Sequence, residues 1–567
     1  MSLARVGVAR ARLDPSVLLF ACVALVLAAL VAMPIGWLAW YSVTDGAGRL
    51  TGANFARLVT DPAMRKPLVI TLQIALGAAL GSCAVAVPLA WLVSRTDLPI
   101  RGAIRAMVTA SFVTPPFLGA VAWELLAAPN SGILNQWGRW LFGLDEYDYV
   151  FDIYTQTGVV FCIACYTFPY VFTVLANALD NIPADLDDAS HILGGGAWTT
   201  LRRITLPLVL PAILAGTLVA FLQALTIFGT PAILALPAGF HTLTTKIWSL
   251  FQVPPQLNLA AAAALPMLLL TLLILQLQRW LLGRRSYVLI GGKNSPTRRI
   301  RLGAARVPAL LLCFAIMLGP VILPCAALLK AAVVRNISDP LAWSTLSANH
   351  LRFILWEFSG TRDAMVNTLI LGAVSATVVT FMALVVGYLA HRRLVPGHRL
   401  LPGLAMAPIA VPGIVMGVGL FLVYTRAPFL LYGSLGILLV AFVTLEMPAG
   451  FQQVQAAMRG LHVELEEASR IFGATRMQAL MQITAPLLRT TIIATWSIVF
   501  IGVIRELSAT ILLTTSNTKV ISVVIYDLNE SGELGAIAVL GLFLLFVTFA
   551  VVLLVNRLPI LGGPALR

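Results

Sequence analysis

The sequence predicts an all-α transmembrane protein built as two homologous six-helix halves, twelve membrane helices in all, and three observations carry that expectation. Of 567 residues, 59% are hydrophobic and 11% charged, with a mean hydropathy of +0.92, whereas soluble domains are about 25% charged. Apolar runs of about 20 residues, each long enough to cross a bilayer, recur along the whole chain. A set of loop residues also occurs twice in one register. The composition argues against soluble enzymes, nucleic-acid binders and secreted disulfide scaffolds. All six cysteines lie in apolar runs, and Cys162 and Cys165 have no second CxxC or His pair to complete a metal site.

Taken in order, the first run, 17–40, follows Arg5, Arg10 and Arg12. It is too long for a signal-peptide core and lacks a small-residue cleavage site, so it reads as a retained helix. Further spans are expected at 68–93, 104–127, 157–177, 208–228 and 258–278. The pattern then restarts at 307–329, 364–390, 401–424, 434–456, 487–512 and 535–556. The chain thus divides into a first half, 1–282, a basic linker, 283–306, and a second half, 307–567.

Orientation follows from the short loops. Residues 279–306 hold Arg279, Arg284, Arg285, Lys293, Arg298, Arg299, Arg301 and Arg306 and no acid. The loops after the second and eighth spans carry Arg95, Arg101, Arg105 and Arg392, Arg393, Arg399. The excess of Lys and Arg in cytoplasmic loops places these segments inside, together with both termini. The acidic stretch 128–156, with Asp145, Glu146, Asp148 and Asp152, falls outside, as does 335–363. A nucleic-acid or lipid-binding patch would also carry such a basic linker, but positive-inside topology already explains it.

The repeat lies in two long loops on the cytoplasmic side. The first, 178–207, contains Leu186-Asp187-Asp188-Ala189-Ser190, Gly194 and Ile204-Thr205-Leu206-Pro207; the second, 457–486, contains Leu465-Glu466-Glu467-Ala468-Ser469, Gly473 and Ile483-Thr484-Ala485-Pro486. Every pair is 279 positions apart, and so are Pro169 and Pro448. Further upstream the offset is 297, aligning Pro99 with Pro396 and Pro115 with Pro412. An acid followed by two small residues and a glycine presents a nearly bare helix face that another surface can approach closely. The acid, placed in the first helical turn, complements the dipole. Pro207 and Pro486 suit the first turn of the next span.

This spacing resembles the EAA loop of ABC importer permeases, with Asp188 in place of the usual Glu, Ser190 and Ser469 in place of the second Ala, and Ala485 departing from the usual Leu. The resemblance covers the chain as a fused pair of permease domains, of the type I importer kind. It implies that Asp188, Ala189, Ser190, Gly194 and Pro207, with Glu467, Ala468, Ser469, Gly473 and Pro486, form coupling loops for a cytoplasmic ATPase. It further implies a multi-pass protein of the bacterial inner membrane, surrounded by lipid, with two ABC ATPase subunits and one periplasmic substrate-binding protein as partners. No P-loop is present: Gly291-Gly292-Lys293-Asn294 lacks the first Gly and the Ser or Thr that holds Mg²⁺. The chain is therefore expected to be no enzyme and to carry no cofactor or metal of its own, ATP and Mg being bound by the partner ATPases. Tyr287 to Lys293 and Arg505-Glu506-Leu507-Ser508-Ala509-Thr510 resemble ferric-iron-type permeases, while thiamine, phosphonate and polyamine permeases share much of the layout. An ion-coupled transporter of the major-facilitator type also has six plus six helices, but it would leave the repeated loop unexplained.

Three charged residues within the spans merit attention, because ionisable groups there are costly and usually functional or paired. Glu446 lies near the middle of the tenth span, just before Pro448, and is a candidate for the translocation path or for a structural hydrogen bond. Arg505 and Glu506 come about 18 residues into the eleventh, some ~27 Å along its axis and close to the outer face. They read as an interfacial ion pair, a binding-protein contact or a gate. Gly77 with Gly81, and Gly413 with Gly417, mark close helix packing.

Overall fold

The computed structural model describes residues 15–283, 299–392, 397–462 and 464–557. Arg5, Arg10, Arg12, Arg393, Pro396, most of the linker and the stretch from Tyr287 to Asn294 lie outside the described residues. The first half contains α1 (Val17–Ser42), α2 (Pro62–Arg95), α3 (Arg101–Val113), α4 (Pro116–Ala127), α5 (Gln156–Asp180), α6 (Ala184–Ile192), α7 (Trp198–Thr226), α8 (Gly229–Leu234), α9 (Leu243–Ser249) and α10 (Leu257–Leu281). The second repeats the order as α11 (Gly303–Val333), α12 (Ser359–His391), α13 (Leu400–Ala410), α14 (Gly413–Tyr424), α15 (Leu435–Arg459), α16 (Glu464–Ile471), α17 (Leu480–Arg505), α18 (Thr510–Leu513), α19 (Ile521–Glu530) and α20 (Leu534–Val555). Short helices in the connections, such as Ala53–Thr60 and Ile133–Phe142, are left unnumbered.

Among the described residues, ten helices are long and apolar enough to cross a membrane, and the expected third and ninth spans are each broken, with α3 and α4 meeting at 101° and α13 and α14 at 112°. The cause is local. Thr114 precedes Pro115, which precedes Pro116, and Val411 precedes Pro412; a residue before proline is pushed out of the helical region, and Thr114, Pro115 and Val411 are extended. The break does not turn the chain back. Arg105 near the start of α3 pairs with Asp180 at the end of α5, while Ile153, just before α5 begins, donates its N–H to Ala127 at the end of α4. The α3–α4 pair therefore travels the length of α5, about 37 Å at 1.5 Å per residue. Counting each bent pair as one crossing gives the expected twelve.

One expectation is corrected: the eleventh span does not run to 512, since α17 ends at Arg505 and residues 506–509 separate it from α18. The connection after the fifth span also holds helices, α8, which is buried along its whole length, and α9. Helices of 4 to 10 residues are shorter than any window that detects a span.

The first helix of each half packs on the opposite half. Four π-turns, 28–32, 201–205, 318–322 and 480–484, each end two residues before a proline, namely Pro34, Pro207, Pro324 and Pro486, and the two in α1 and α11 show how this works. In each turn the residue before the proline donates to the carbonyl five residues back, as Met33 does to Ala28 and Leu323 to Leu318. The proline, lacking N–H, then leaves the next carbonyl without its helical donor. In α1 that carbonyl is Ala29, which accepts from the Tyr424 hydroxyl of α14 at 2.9 Å. In α11 it is Gly319, which accepts from Nε1 of Trp123 in α4 at 3.2 Å. Carbonyls at equivalent positions are thus satisfied by the other half, as hydrocarbon surroundings demand.

The paired glycines behave as expected. A Cβ on Gly77 or Gly81 would press on Val160 or Ala164 of α5, and one on Gly417 would meet the Ala509 backbone.

Candidate docking loops and translocation path

The two copies of the repeated loop fold alike. α6 and α16 each end in a glycine with a positive φ, +78° at Gly194 and +91° at Gly473. Gly194 donates to the His191 carbonyl and Gly195 to that of Ser190; Gly473 donates to Arg470 and Ala474 to Ser469. This pair of bonds is the Schellman termination, which needs a residue free of Cβ at the left-handed position. The glycine is thus required first by the backbone. Nothing lies within 4 Å of the place a Cβ would take at either position.

The sequence motif singles out Asp188 and Glu467, but the buried acids are their predecessors. Asp187 forms an ion pair with Arg95 at the end of α2, and Glu466 pairs with Arg392, just past the end of α12, at 2.8 Å; all four side chains are at most a tenth exposed. Glu466 also accepts from the Thr484 hydroxyl and from Tyr388 at 3.4 Å. Asp187 and Glu466 are 279 positions apart and Arg95 and Arg392 are 297 apart, the two offsets of the repeat. Each loop is therefore locked to its own half by one buried charge pair. Asp188 is half-buried and outside the first turn of α6, which holds Asp185 and Asp187. Glu467 lies in the first turn of α16 and is exposed, as are Ala189 and Ala468, while Ser190 is buried against Thr200 and Ser469 is half-buried. Pro207 and Pro486 lie at the starts of the α-helical parts of α7 and α17, as expected.

What sequence reasoning missed is an apolar knob before each glycine. Ile192 and Leu193 are 85% and 87% exposed, and their equivalents Ile471 and Phe472 are 83% and 91% exposed. Single exposed apolar residues need no explanation. The same pair exposed twice, at the same turn of a duplicated loop, does.

Between the halves, α15 and α17 bring the charged candidates together. Gly502 lies against the Glu446 carboxylate, so that a Cβ there would overlap it. Arg505 is three residues further on, about one turn from the level of Glu446. Its guanidinium sits 5.5 Å from the centroid of Phe112 of α3, and Phe112 meets Tyr170 of α5 edge-on at 5.1 Å. Arg505 and Glu506 do not form the expected ion pair. Instead Glu506 accepts the Ala509 N–H at 2.8 Å and so starts α18. The equivalents of Glu446, Arg505 and Glu506 in the first half are Thr167, Thr226 and Ile227, so one half supplies charge and the other aromatic rings.

Above this level the halves meet again. Phe228, Trp248 and Tyr526 form a triangle with centroids 5.8–6.3 Å apart. Glu124 accepts from Tyr154 and from Asn529 of α19, both at 2.7 Å. Burial, then the neighbouring Glu124, raises the Tyr154 hydroxyl above its usual range and keeps it a donor.

A duplicated bundle with two matching surface loops and a polar cluster between its halves defines a membrane permease built from two fused copies. The chain belongs to the family of binding-protein-dependent transport system inner membrane components, whose model matches residues 86–287 and 383–559. That family is not the major-facilitator one. A ferric transport system permease protein of Actinobacillus pleuropneumoniae is 27% identical over 449 residues, 78% of this chain and 63% of that protein. A putative ferric transport system permease protein of Haemophilus influenzae is 27% identical over 416 residues, 72% of this chain and 64% of that one. The matches thus span less than two thirds of these relatives. The molybdenum transport system permease protein of Escherichia coli is 27% identical over 228 residues, 40% of this chain and 95% of that protein, about one half of the repeat.

Proposed function

We propose that this chain is the membrane-spanning subunit of an ATP-driven importer that receives ferric iron from a periplasmic binding protein. One ATPase subunit docks on each of the loops 178–207 and 457–486, and ATP and Mg are bound by those subunits. The division at 1–282, 283–306 and 307–567, with both termini cytoplasmic, places both loops on the ATPase side. The observation that carries the reading is the duplicated loop with its exposed knobs, Ile192-Leu193 and Ile471-Phe472, each anchored by one buried ion pair. The knob supplies apolar contact, the glycine beside it leaves room for the partner's surface, and the ion pair passes the displacement to α2 or α12. Such a load path suits a switch between discretely packed states. Ferric iron is favoured by the names of the relatives matching the whole repeat. The carboxylates of Glu446 and Glu506 suit a cationic cargo that must bind weakly enough to leave.

The test is co-purification of the ATPase and uptake of radiolabelled ferric iron by cells carrying the chain, its partners and the Gly194→Trp, Gly473→Trp pair. Uptake and ATPase retention should both be lost. Full retention of both would refute the docking role; ATPase binding without iron uptake in the unsubstituted chain would refute the cargo.

A further inference from the structure

We propose that a phospholipid with an anionic head group binds the first half between the linker segment 299–301 and the ends of α2, α5 and α7 nearest the docking loops. Two cavities of about 500 and 440 Å³ adjoin there and share Trp91, Leu201 and Thr205 as a common wall. Each falls within the ~300–1,000 Å³ of ligand sites, and the two differ in chemistry.

The first cavity is basic. Arg299 and Arg301 line it, and neither forms an ion pair with a described residue. The one carboxylate on its wall, Asp187, is already neutralised by Arg95. The two arginines are presented together because the segment is held extended: Ile300 accepts from Asp97 N–H at 3.1 Å and donates to the Arg95 carbonyl at 2.9 Å, while Asp97 accepts from Leu302 at 2.9 Å. Alternate residues of an extended strand face one way.

The second cavity is apolar, walled by Pro88, Leu175, Leu179, Val209 and Ile213 on the flanks of three membrane helices. Trp198, 71% exposed, stands at its mouth, the position of an interfacial aromatic. A basic chamber opening into an apolar slot at one end of a helix bundle matches a head group and its acyl chain. A soluble anion would use the first chamber and leave the second empty. The inference concerns binding alone and stands or falls independently of the proposed cargo.

Native mass spectrometry of the full chain in detergent, with added phosphatidylglycerol or phosphatidylcholine of identical chains, tests it. Phosphatidylglycerol should be retained selectively. The Arg299→Ala, Arg301→Ala pair should lower its retention by roughly 30-fold, the effect of two basic groups at an anionic surface. Leu206→Glu, at a 43% exposed position lining the apolar slot, should lower it with both arginines in place, and lipid-free melting should match the unsubstituted chain in each variant. Equal retention of the two lipids would overturn the proposal. So would unchanged retention in either variant, or displacement by inorganic phosphate with Leu206→Glu without effect, which would mark a soluble-anion site.

Discussion

Replacing Glu466 by glutamine tests whether the buried ion pair is what fastens the second docking loop to the bundle. The two side chains are 6% and 8% exposed, so water screens them little. Among the described residues, Nε and Nη1 of Arg392 have no hydrogen-bond partner, so its charge leans on Glu466. Removing one member of such a pair leaves an uncompensated buried charge and costs about 3–5 kcal/mol. With α16 fastened by this contact, its opening should become easier by a similar amount, and its amides should exchange about two to three and a half orders of magnitude faster, at 1.4 kcal/mol per tenfold. Amides in the middle of α15, away from the pair, should keep their protection. Hydrogen exchange read peptide by peptide measures both. Replacing both partners, Arg392→Met with Glu466→Gln, should recover much of the loss, because a neutral pair has no stranded charge. Unchanged exchange of α16 in the single variant, or a double variant as labile as the single, would refute the anchoring argument.

Three further outcomes are expected. At Gly473, alanine should cost about 1–2 kcal/mol of loop stability through its left-handed backbone, and tryptophan about the same in the isolated chain, since space there is open; ATPase co-purification should fall much further with tryptophan, and equal falls would reduce the glycine to a backbone role. Asp97 is held below the usual carboxylate range by the Leu302 N–H and then by Arg306, so its contribution is present above the unfolded-state pKa and disappears as pH falls through the lower folded value. A spin label on Ala304→Cys, an exposed neighbour, should therefore stay immobile from pH 8 to 5 and loosen below pH ~4, whereas Asp97→Asn should be mobile throughout; a label indifferent to both would sink the assignment. Glu446→Gln should reduce uptake with ATPase assembly and expression near normal, and a parallel drop in melting temperature would make Glu446 structural instead.

Hydropathy and the loop repeat made the twelve crossings, the duplication and the two matching loops legible, because span length and loop chemistry are local properties of sequence. The break in each third helix was foreshadowed by Thr114-Pro115-Pro116 and Val411-Pro412, but a hydropathy window averages over prolines and reports one span. α8, α9 and α19 escaped because their burial is decided by contacts with distant helices. The acid that matters structurally was missed because the motif directs attention to Asp188 and Glu467. Arg95 and Arg392, repeated at one offset, had been explained by topology alone, yet a pair of recurring arginines opposite a pair of recurring acids is a readable signal of buried pairing. Arg505 and Glu506 adjoin in sequence but diverge in space, since the chain leaves the helix between them.

The exchange of first helices also sets a schedule for synthesis. The carbonyl of Ala29 is completed by Tyr424, 395 residues later in the chain, whereas Gly319 meets Trp123, 196 residues earlier. At ~5–20 residues per second, α11 emerges to a donor already made, while α1 waits about 20–80 s for its own. During that interval α1 holds an open carbonyl in the bilayer, and the nascent chain has reason to keep that helix beside the insertion machinery, or beside water, until α14 arrives.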